Sequence, residues 1–314
     1  MNNKTDISIV IPAYNEEKSV EALYKNIRTT LERMSISFEA IYIDDGSKDK
    51  TFDILQKLHE KDNRVKIIKF RKNFGQTAAI DAGFQHAKGT IVISIDADLQ
   101  NDPNDIPKLL RKLEEGYDVV CGWRYKRMDP TPKRIASFFA NLLRRAITGE
   151  KIHDSGCSLK AYKRKCLGDL ALFGEMHRFI PALLNWHGYK ITEIKVGHTE
   201  RPFGKSKYGM KRLIKGLLDL MFVKFWISYS SRPLYLFGSA GLLLSGIGLL
   251  ASLYLVIIKI FFGMPIGNRP LLIFAVLFVV VGVQLFIFGI LADVLIKIYY
   301  GKRGPYYIIE EIVE

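Results

Sequence analysis

Asp96 and Asp98 stand one residue apart at the end of the apolar run 91–95, and Gln100 follows two residues on. An unpaired carboxylate is costly to bury, so a strand ending in acids must end at an open edge. In an extended segment alternate side chains point the same way, which would set three oxygen ligands on one side. Such a set suits a hard divalent cation that keeps waters and shares a diphosphate. A loop with acidic caps for the helix near Asp105 uses the same residues, and a bare D-x-D is common. Asp44 and Asp45 close a second apolar run, just before Gly46-Ser47. Acceptors there can read a base N–H or ribose hydroxyls. A turn followed by a helix N-cap explains "DGSKDKT" equally well. No glycine-rich phosphate loop of either common type occurs, so a bound diphosphate must be neutralised by a metal and by basic side chains. Arg71, Arg124, Arg201, Lys205 and Lys207 fall on expected loops, and arginine suits phosphate through its planar fork. Each is also explained as a solvated surface charge. In "ERPFGKSKYG", Gly204 and Gly209 make a basic loop able to close over a phosphate-bearing substrate. Asp154, in "HDSGCSLKAY", precedes a small-residue turn, and spacing does not separate catalysis from a helix cap.

The elements that position these residues follow from hydrophobic periodicity. Strands are predicted at 7–12, 39–44, 65–70, 90–95 and 118–122. Helical patterns lie between them at 17–33, 50–61, 75–87 and 105–115. This alternation predicts an α/β domain with a mostly parallel sheet covered on both faces. Ligands bind such sheets outside the carboxyl ends of the strands. "PAYNEE", "DDGS" and "DADLQ" follow three of these ends, so the three polar clusters should form one site. Beyond residue 123, 133–148 and 210–227 alternate basic and apolar residues at helical spacing. Either can lie in a membrane interface or pack as an ordinary amphipathic helix.

Composition supplies the setting. The chain has 314 residues, with 46 Lys+Arg against 32 Asp+Glu and a formal net charge of +14. That excess points to an anionic partner. Segments 234–258 and 271–292 carry no charged residue, and each is long enough to cross about 30 Å of hydrocarbon as a helix. A short link makes them a hairpin. Lys211, Arg212, Lys215, Lys224 and Arg232 precede it, and Lys297, Lys302 and Arg303 follow it. The positive-inside rule then puts both termini in the cytoplasm, on a multi-pass protein of the cytoplasmic membrane. The N-terminus lacks the pattern of a signal peptide. Expected boundaries are a catalytic domain at 1–209, a juxtamembrane helix at 210–232, the hairpin at 233–298 and a cytoplasmic tail at 299–314. Cys121, Cys157 and Cys166 have no metal-ligand spacing, and their odd count argues against a disulfide framework.

"VIPAYNEE", "YIDDGSKDKT", "RKNFGQTAAIDAGF", "DADLQNDP", "GYDVVCGWR", "DSGCSLKAY" and "ERPFGKSKYG" occur in one order along the chain. In that order they resemble family 2 glycosyltransferases. The nearest likeness is to the polyprenyl-phosphate branch, which holds dolichyl-phosphate mannose synthase and bacterial undecaprenyl-phosphate glucosyltransferases. The likeness covers essentially the whole chain. It implies a GT-A (Rossmann-like) fold and a hexosyltransferase acting on a nucleotide-diphosphate sugar and a polyprenyl phosphate. By motif, Pro12, Tyr14, Glu16, Asp44 and Asp45 match nucleotide-binding positions. Asp96, Asp98 and Gln100 match diphosphate and metal positions, with Mg2+ or Mn2+ implied. Arg124 and Arg201 match phosphate-binding residues, and Lys205 and Lys207 belong to the acceptor-phosphate loop. Asp154 matches an acid proposed as catalytic base, and Asp98 is expected beside it among the catalytic residues. The Q-x-x-R-W motif of processive members is absent, which argues for single transfer.

On this reading one displacement joins the anomeric carbon to the lipid phosphate and inverts its configuration. A metal at Asp96 and Asp98 offsets charge on the departing nucleoside diphosphate. The attacking phosphate is already largely ionised near neutral pH, so Asp154 serves either as base or as a group that orients the acceptor or holds a cation. UDP-glucose and undecaprenyl phosphate are the expected substrates, in cell-envelope glycan modification. UDP-N-acetylglucosamine, GDP-mannose and an aminoarabinose donor are alternatives, and relatives suggest a homo-oligomer. Three rivals are weaker. A haloacid dehalogenase-type phosphatase expects its D-x-D early in the chain, with Thr or Val where Gln100 stands. A non-catalytic adaptor for anionic lipid leaves the acids unexplained. A nucleic-acid binder is disfavoured because the excess basic residues interleave with apolar ones near the membrane segments.

Overall fold

The computed structural model describes residues 5–125, 145, 149, 152–168, 170, 172, 174–199, 210–229 and 232–303. The loop carrying Arg201, Lys205 and Lys207 lies outside them, as does the helix expected at 133–148 apart from Arg145. The chain forms two compact units, Met1–Lys224 and Phe225–Glu314.

The first unit is built on the strands β1 (Ile7–Ala13), β2 (Phe38–Asp44), β3 (Val65–Lys69), β4 (Ile91–Ser94), β5 (Val119–Arg124), β6 (Lys160–Lys163) and β7 (Ile191–Val196). They make one sheet in the order β3-β2-β1-β4-β6-β5-β7. Only β6 runs antiparallel, between β4 and β5. Helices α1 (Val20–Arg33), α2 (Thr51–Lys61), α3 (Gln76–His86), α4 (Ile106–Glu114) and α5 (Ile180–Trp186) flank the sheet. In α1 the buried residues Val20, Leu23, Tyr24, Ile27 and Leu31 recur at one-turn spacing, so the helix offers a single apolar stripe. That stripe, with Leu55 of α2 and Leu109 of α4, packs on one sheet face around Ile9, Ile11 and Tyr42. Ile80 and Phe84 of α3 and Leu184 of α5 cover the other face around Val10, Ile41 and Tyr162. Strands covered on both sides read as continuous apolar runs, and β1 and β2 are buried almost throughout.

Four flanking helices and five strands stand where periodicity predicts them, with no end shifted by more than three residues. β6 and β7 go beyond that expectation. The sequence KAYK is bounded by lysines and carries no apolar run; it is a strand because β4 and β5 pair with it on either side. All three cysteines are buried, and none is in a disulfide.

The helix α6 (Met210–Tyr229) contains the division between the units and exposes Leu218, Met221 and Phe222. The second unit holds α7 (Pro233–Phe262) and α8 (Pro270–Arg303), packed against each other. Both are long and apolar enough to cross a membrane. Most of each apolar stretch is exposed within the chain, which a core helix of a soluble protein would not be.

Candidate active site

The carboxyl ends of β1, β2, β3 and β4 deliver loops that are hydrogen-bonded one to the next. After β1, Asn15 takes a left-handed backbone at φ 57°. Its N–H donates to the Ser47 hydroxyl (2.9 Å), and its side-chain oxygen accepts from the Lys48 N–H (2.8 Å). This clasps "PAYNEE" to "DDGS". Pro12 is still within β1, paired with Ile43, and Tyr14 follows half-buried. Glu16 accepts from the Ser19 hydroxyl at 2.7 Å, while its N–H donates to Thr51 Oγ1 at 2.8 Å.

After β2, Asp44 and Asp45 are both buried. Asp44 Oδ1 accepts the Ser47 N–H at 3.0 Å, the turn geometry that "DGSKDKT" foretells. Its other oxygen, Oδ2, is buried with no hydrogen-bond partner among the described residues. Asp45 accepts the N–H groups of Phe74 (2.6 Å) and Gly75 (2.9 Å) and so pins the loop before α3. Burial raises the Asp45 carboxyl and Asp44 adds to the rise, against the lowering effect of those N–H groups. The turn passes so close to this loop that a Cβ on Gly46 would lie 2.5 Å from the Lys72 carbonyl carbon, and its φ is +69°. Only glycine fits there without strain. Arg71 is exposed on the same loop.

Next to it stands the acid pair. Gln76, the first residue of α3, donates its side-chain amide to Asp96 Oδ1 at 2.7 Å. The Asp96 N–H donates to the Ser158 hydroxyl at 3.2 Å. Asp96, Asp98 and Gln100 are all half-buried. The alternation expected of an extended segment does not hold. β4 stops at Ser94, residues 97–98 turn, and Leu99 is left-handed at φ 63°. Asp98 Oδ1 accepts the Gln100 N–H at 3.2 Å, which closes the turn. The two acids are brought together by this turn instead. Burial, then the neighbouring Asp98, pushes the Asp96 carboxyl up to about 6, although Ser158, Arg124 and Lys160 pull the other way. Gln100 also reaches the Thr199 carbonyl at 3.5 Å.

At the end of β5, Arg124 meets Asp154 across thirty positions of sequence. Nε donates to Oδ2 at 2.7 Å and Nη2 to Oδ1 at 2.9 Å. The side chains are 14% and 5% exposed, so this is a bidentate pair largely out of water. Lys160, only 4% exposed, donates to the Ser155 carbonyl at 2.9 Å and secures the loop that carries Asp154. Burial lifts the Cys157 thiol to about 11, which leaves no thiolate nucleophile at neutral pH.

Gln76, Ser158 and Lys160 are absent from the sequence-based set. Gln76 lies in the "RKNFGQ" stretch and the other two in "DSGCSLKAY". No local pattern marks them: Gln76 and Ser158 bond to Asp96, 20 and 62 positions away, and Lys160 to a backbone carbonyl. No group of three or more His, Cys, Asp or Glu side chains able to hold a metal occurs among the described residues. The protein would therefore offer a cation two carboxylates and leave its remaining positions to phosphate and water. That is the usual arrangement for Mg2+ with a phosphate substrate.

A mostly parallel sheet with a D-x-D turn at its carboxyl edge, and no phosphate-binding glycine loop in the sequence, fits the GT-A fold. The comparisons agree. The sequence profile described as glycosyl transferase family 2 matches residues 8–170. A dodecaprenyl-phosphate galacturonate synthase of Rhizobium johnstonii is 39% identical over 98% of this chain and 93% of its own length. An undecaprenyl-phosphate 4-deoxy-4-formamido-L-arabinose transferase of Pseudomonas aeruginosa is 37% identical over 98% of this chain and 90% of its own. Among solved structures, glucosyl-3-phosphoglycerate synthase from Mycobacterium tuberculosis, in complex with Mn2+ and UDP-glucose, superposes with a TM-score of 0.54. It is 19% identical and covers 73% of this chain and 82% of its own, a likeness of fold. The chain belongs to glycosyl transferase family 2 and is a glycosyltransferase.

Proposed function

We propose that the protein transfers one sugar from a nucleotide-diphosphate donor to a polyprenyl phosphate at the membrane surface, with inversion at the anomeric carbon. The observation that carries this reading is the Asp96–Asp98 pair. It sits at the carboxyl edge of the sheet with Asp96 pushed up to about 6, a pair of like charges that a divalent cation would relieve. The two full-length relatives support the polyprenyl phosphate acceptor, since both names specify one.

Asp96 and Asp98 would hold Mg2+ or Mn2+ against the diphosphate. When bound, the ion supplies Lewis-acid stabilisation of the departing nucleoside diphosphate. Gln76 keeps Asp96 in place by its 2.7 Å hydrogen bond. The orphaned Asp44 Oδ2 awaits a donor, and an N–H of a base or a sugar hydroxyl fits it. Asp45 acts one step back, since both its oxygens hold the Phe74–Gly75 backbone. Arg124, oriented by Asp154, presents its guanidinium to a phosphate, and Arg201, Lys205 and Lys207 belong to the acceptor side. The acceptor phosphate is ionised on its own near neutral pH, so Asp154 orients and no strong base is needed. The hairpin α7–α8 spans the cytoplasmic membrane with both termini inside, and α6 lies in its interface.

The donor nucleotide is uridine-based on this reading. UDP-glucose, the donor expected from sequence, now stands beside galacturonate and 4-deoxy-4-formamido-L-arabinose, the sugars named in the relatives. The test uses the full-length protein in detergent with Mn2+ and undecaprenyl phosphate. The three UDP-linked sugars are offered in parallel, together with UDP-N-acetylglucosamine and GDP-mannose, and lipid-linked product is followed by mass. Product from one donor, lost in Asp96→Ala, is expected. A folded protein that binds lipid phosphate and makes no product from any of them would favour an adaptor role instead.

A further inference from the structure

The segment that carries Asp154 is held from two sides. In front, Arg124 grips the Asp154 carboxylate through its guanidinium and also through its backbone N–H, at 3.3 Å. Behind, Glu193 of β7 holds the preceding residue. The His153 N–H donates to Glu193 Oε2 at 2.7 Å, and the His153 ring Nδ1 meets Glu193 Oε1. The same ring stacks on Trp123, with centroids 4.5 Å apart and 14° between the planes.

The two grips lie on opposite faces of the sheet. Side chains alternate along a strand. In β5, Val120 packs with α1, α2 and α4, whereas Val119 and Cys121 pack with α3 and α5. Trp123 therefore falls on the α3 face and Arg124 on the other. The register pairs Cys121 with Glu193, which puts Glu193 on the Trp123 face. One strand pair thus holds two consecutive residues of a loop, Asp154 from one face and His153 from the other. β7 is the edge strand of the sheet, where a charge that only kept the edge soluble would face water. The Glu193 side chain is instead only 15% exposed, and both its oxygens go to His153.

We propose that Glu193 is a positioning residue for the transfer. Through His153 it sets Asp154 against Arg124, and so aims the guanidinium at a substrate phosphate. This rests on the reading of Arg124 as a phosphate ligand. A guanidinium meets phosphate through a planar fork, so a small displacement of its orienting carboxylate weakens the contact.

The test compares full-length wild type, Glu193→Ala, Glu193→Gln and Arg64→Ala in detergent, with Mn2+, undecaprenyl phosphate and the donor that gives product. It reads KM for each substrate, the half-saturating Mn2+ concentration, and amide hydrogen exchange across 152–158. Glu193→Ala should raise KM about tenfold for the substrate whose phosphate meets Arg124. It should speed exchange across 152–158 and leave the Mn2+ requirement unchanged. Glu193→Gln keeps an oxygen for the His153 N–H and an amide for the ring, so it should restore both. Arg64→Ala removes the Arg64–Asp62 pair before β3, at the other end of the sheet, and should move neither. Wild-type KM values and unaltered exchange in Glu193→Ala would overturn the inference. So would a Glu193→Gln no better than Glu193→Ala, or a Glu193→Ala whose Mn2+ requirement rises with its KM, the mark of a general structural loss. Wild type that makes no product from any donor would instead sink the transferase reading beneath it.

Discussion

The two ends of the sheet treat their carboxylates in opposite ways. At the amino end, Glu39 accepts from the Ser8 hydroxyl at 2.6 Å and the Lys88 N–H at 2.8 Å. Asp62, just before β3, takes two short hydrogen bonds from Arg64 and one from the Tyr24 hydroxyl. The Arg64 guanidinium holds its carboxyl well below the usual range. Burial would raise Asp118, but the Lys190 N–H and Lys163 more than offset it and leave it lowered. At the carboxyl end, Asp45 and Asp96 are raised, and Asp44 keeps a buried oxygen without a described partner. Acids whose charge is balanced inside the fold stabilise it. A raised pair such as Asp96 beside Asp98, or an unmet oxygen such as Asp44 Oδ2, would be relieved by a cation or a donor from outside, which is the signature expected of a ligand site.

The contrast can be broken most sharply at Asp96 and Asp98, the acids proposed to hold the metal. Asp96→Ala or Asp98→Ala should lower transfer by about 10³-fold, the worth of several kcal/mol of charge stabilisation. Sugar-lipid formation with Mn2+ measures this, and near-normal activity would remove the acids from the chemistry.

Next in size is the bidentate pair. Arg124→Ala strips both guanidinium hydrogen bonds from the buried Asp154 carboxylate and should cost about 3–5 kcal/mol of stability. Arg124→Lys keeps the charge but loses the fork, so it should retain most stability and lose activity. Urea unfolding beside initial rates separates the two, and an active Arg124→Lys would deny the guanidinium a role.

The smallest effect belongs to the amino end. Arg64→Ala should cost about 1–3 kcal/mol at pH 7 and leave transfer unchanged. Asp62 has a folded pKa below its ordinary 3.8, so its contribution is full above 3.8 and is lost as the pH falls through the lower folded value. Wild type and Arg64→Ala should therefore converge in stability in strong acid. A gap that persists there would assign the effect to packing.

The same contrast explains what could be read from sequence. The apolar strand β4 ending in Asp96 and Asp98 was legible, because burying free charge is forbidden and the only open place is the sheet edge. The alternation of strand and helix gave the parallel sheet for a similar reason: residues buried on both faces leave no polar period. The turn at 97–99 was not legible, since a left-handed Leu99 has no sequence signal. Nor was the Arg124–Asp154 pair, which depends on β6 inserting between β4 and β5. "KAYK" carries too little apolar pattern to announce that insertion. Gln76 reaching Asp96 is another contact made by topology and invisible to local spacing.

The most direct measurement is thermal melting at pH 8 of wild type and Asp96→Asn, each with and without Mn2+. Asp96 is raised to about 6, so above that pH its charge costs the fold stability, and below its ordinary 3.8 it costs none. Asp96→Asn without metal should melt above metal-free wild type, and Mn2+ should raise wild type alone. An Asp96→Asn protein that melts lower, as Arg64→Ala should, or that still responds fully to Mn2+, would contradict the division between structural and functional acids.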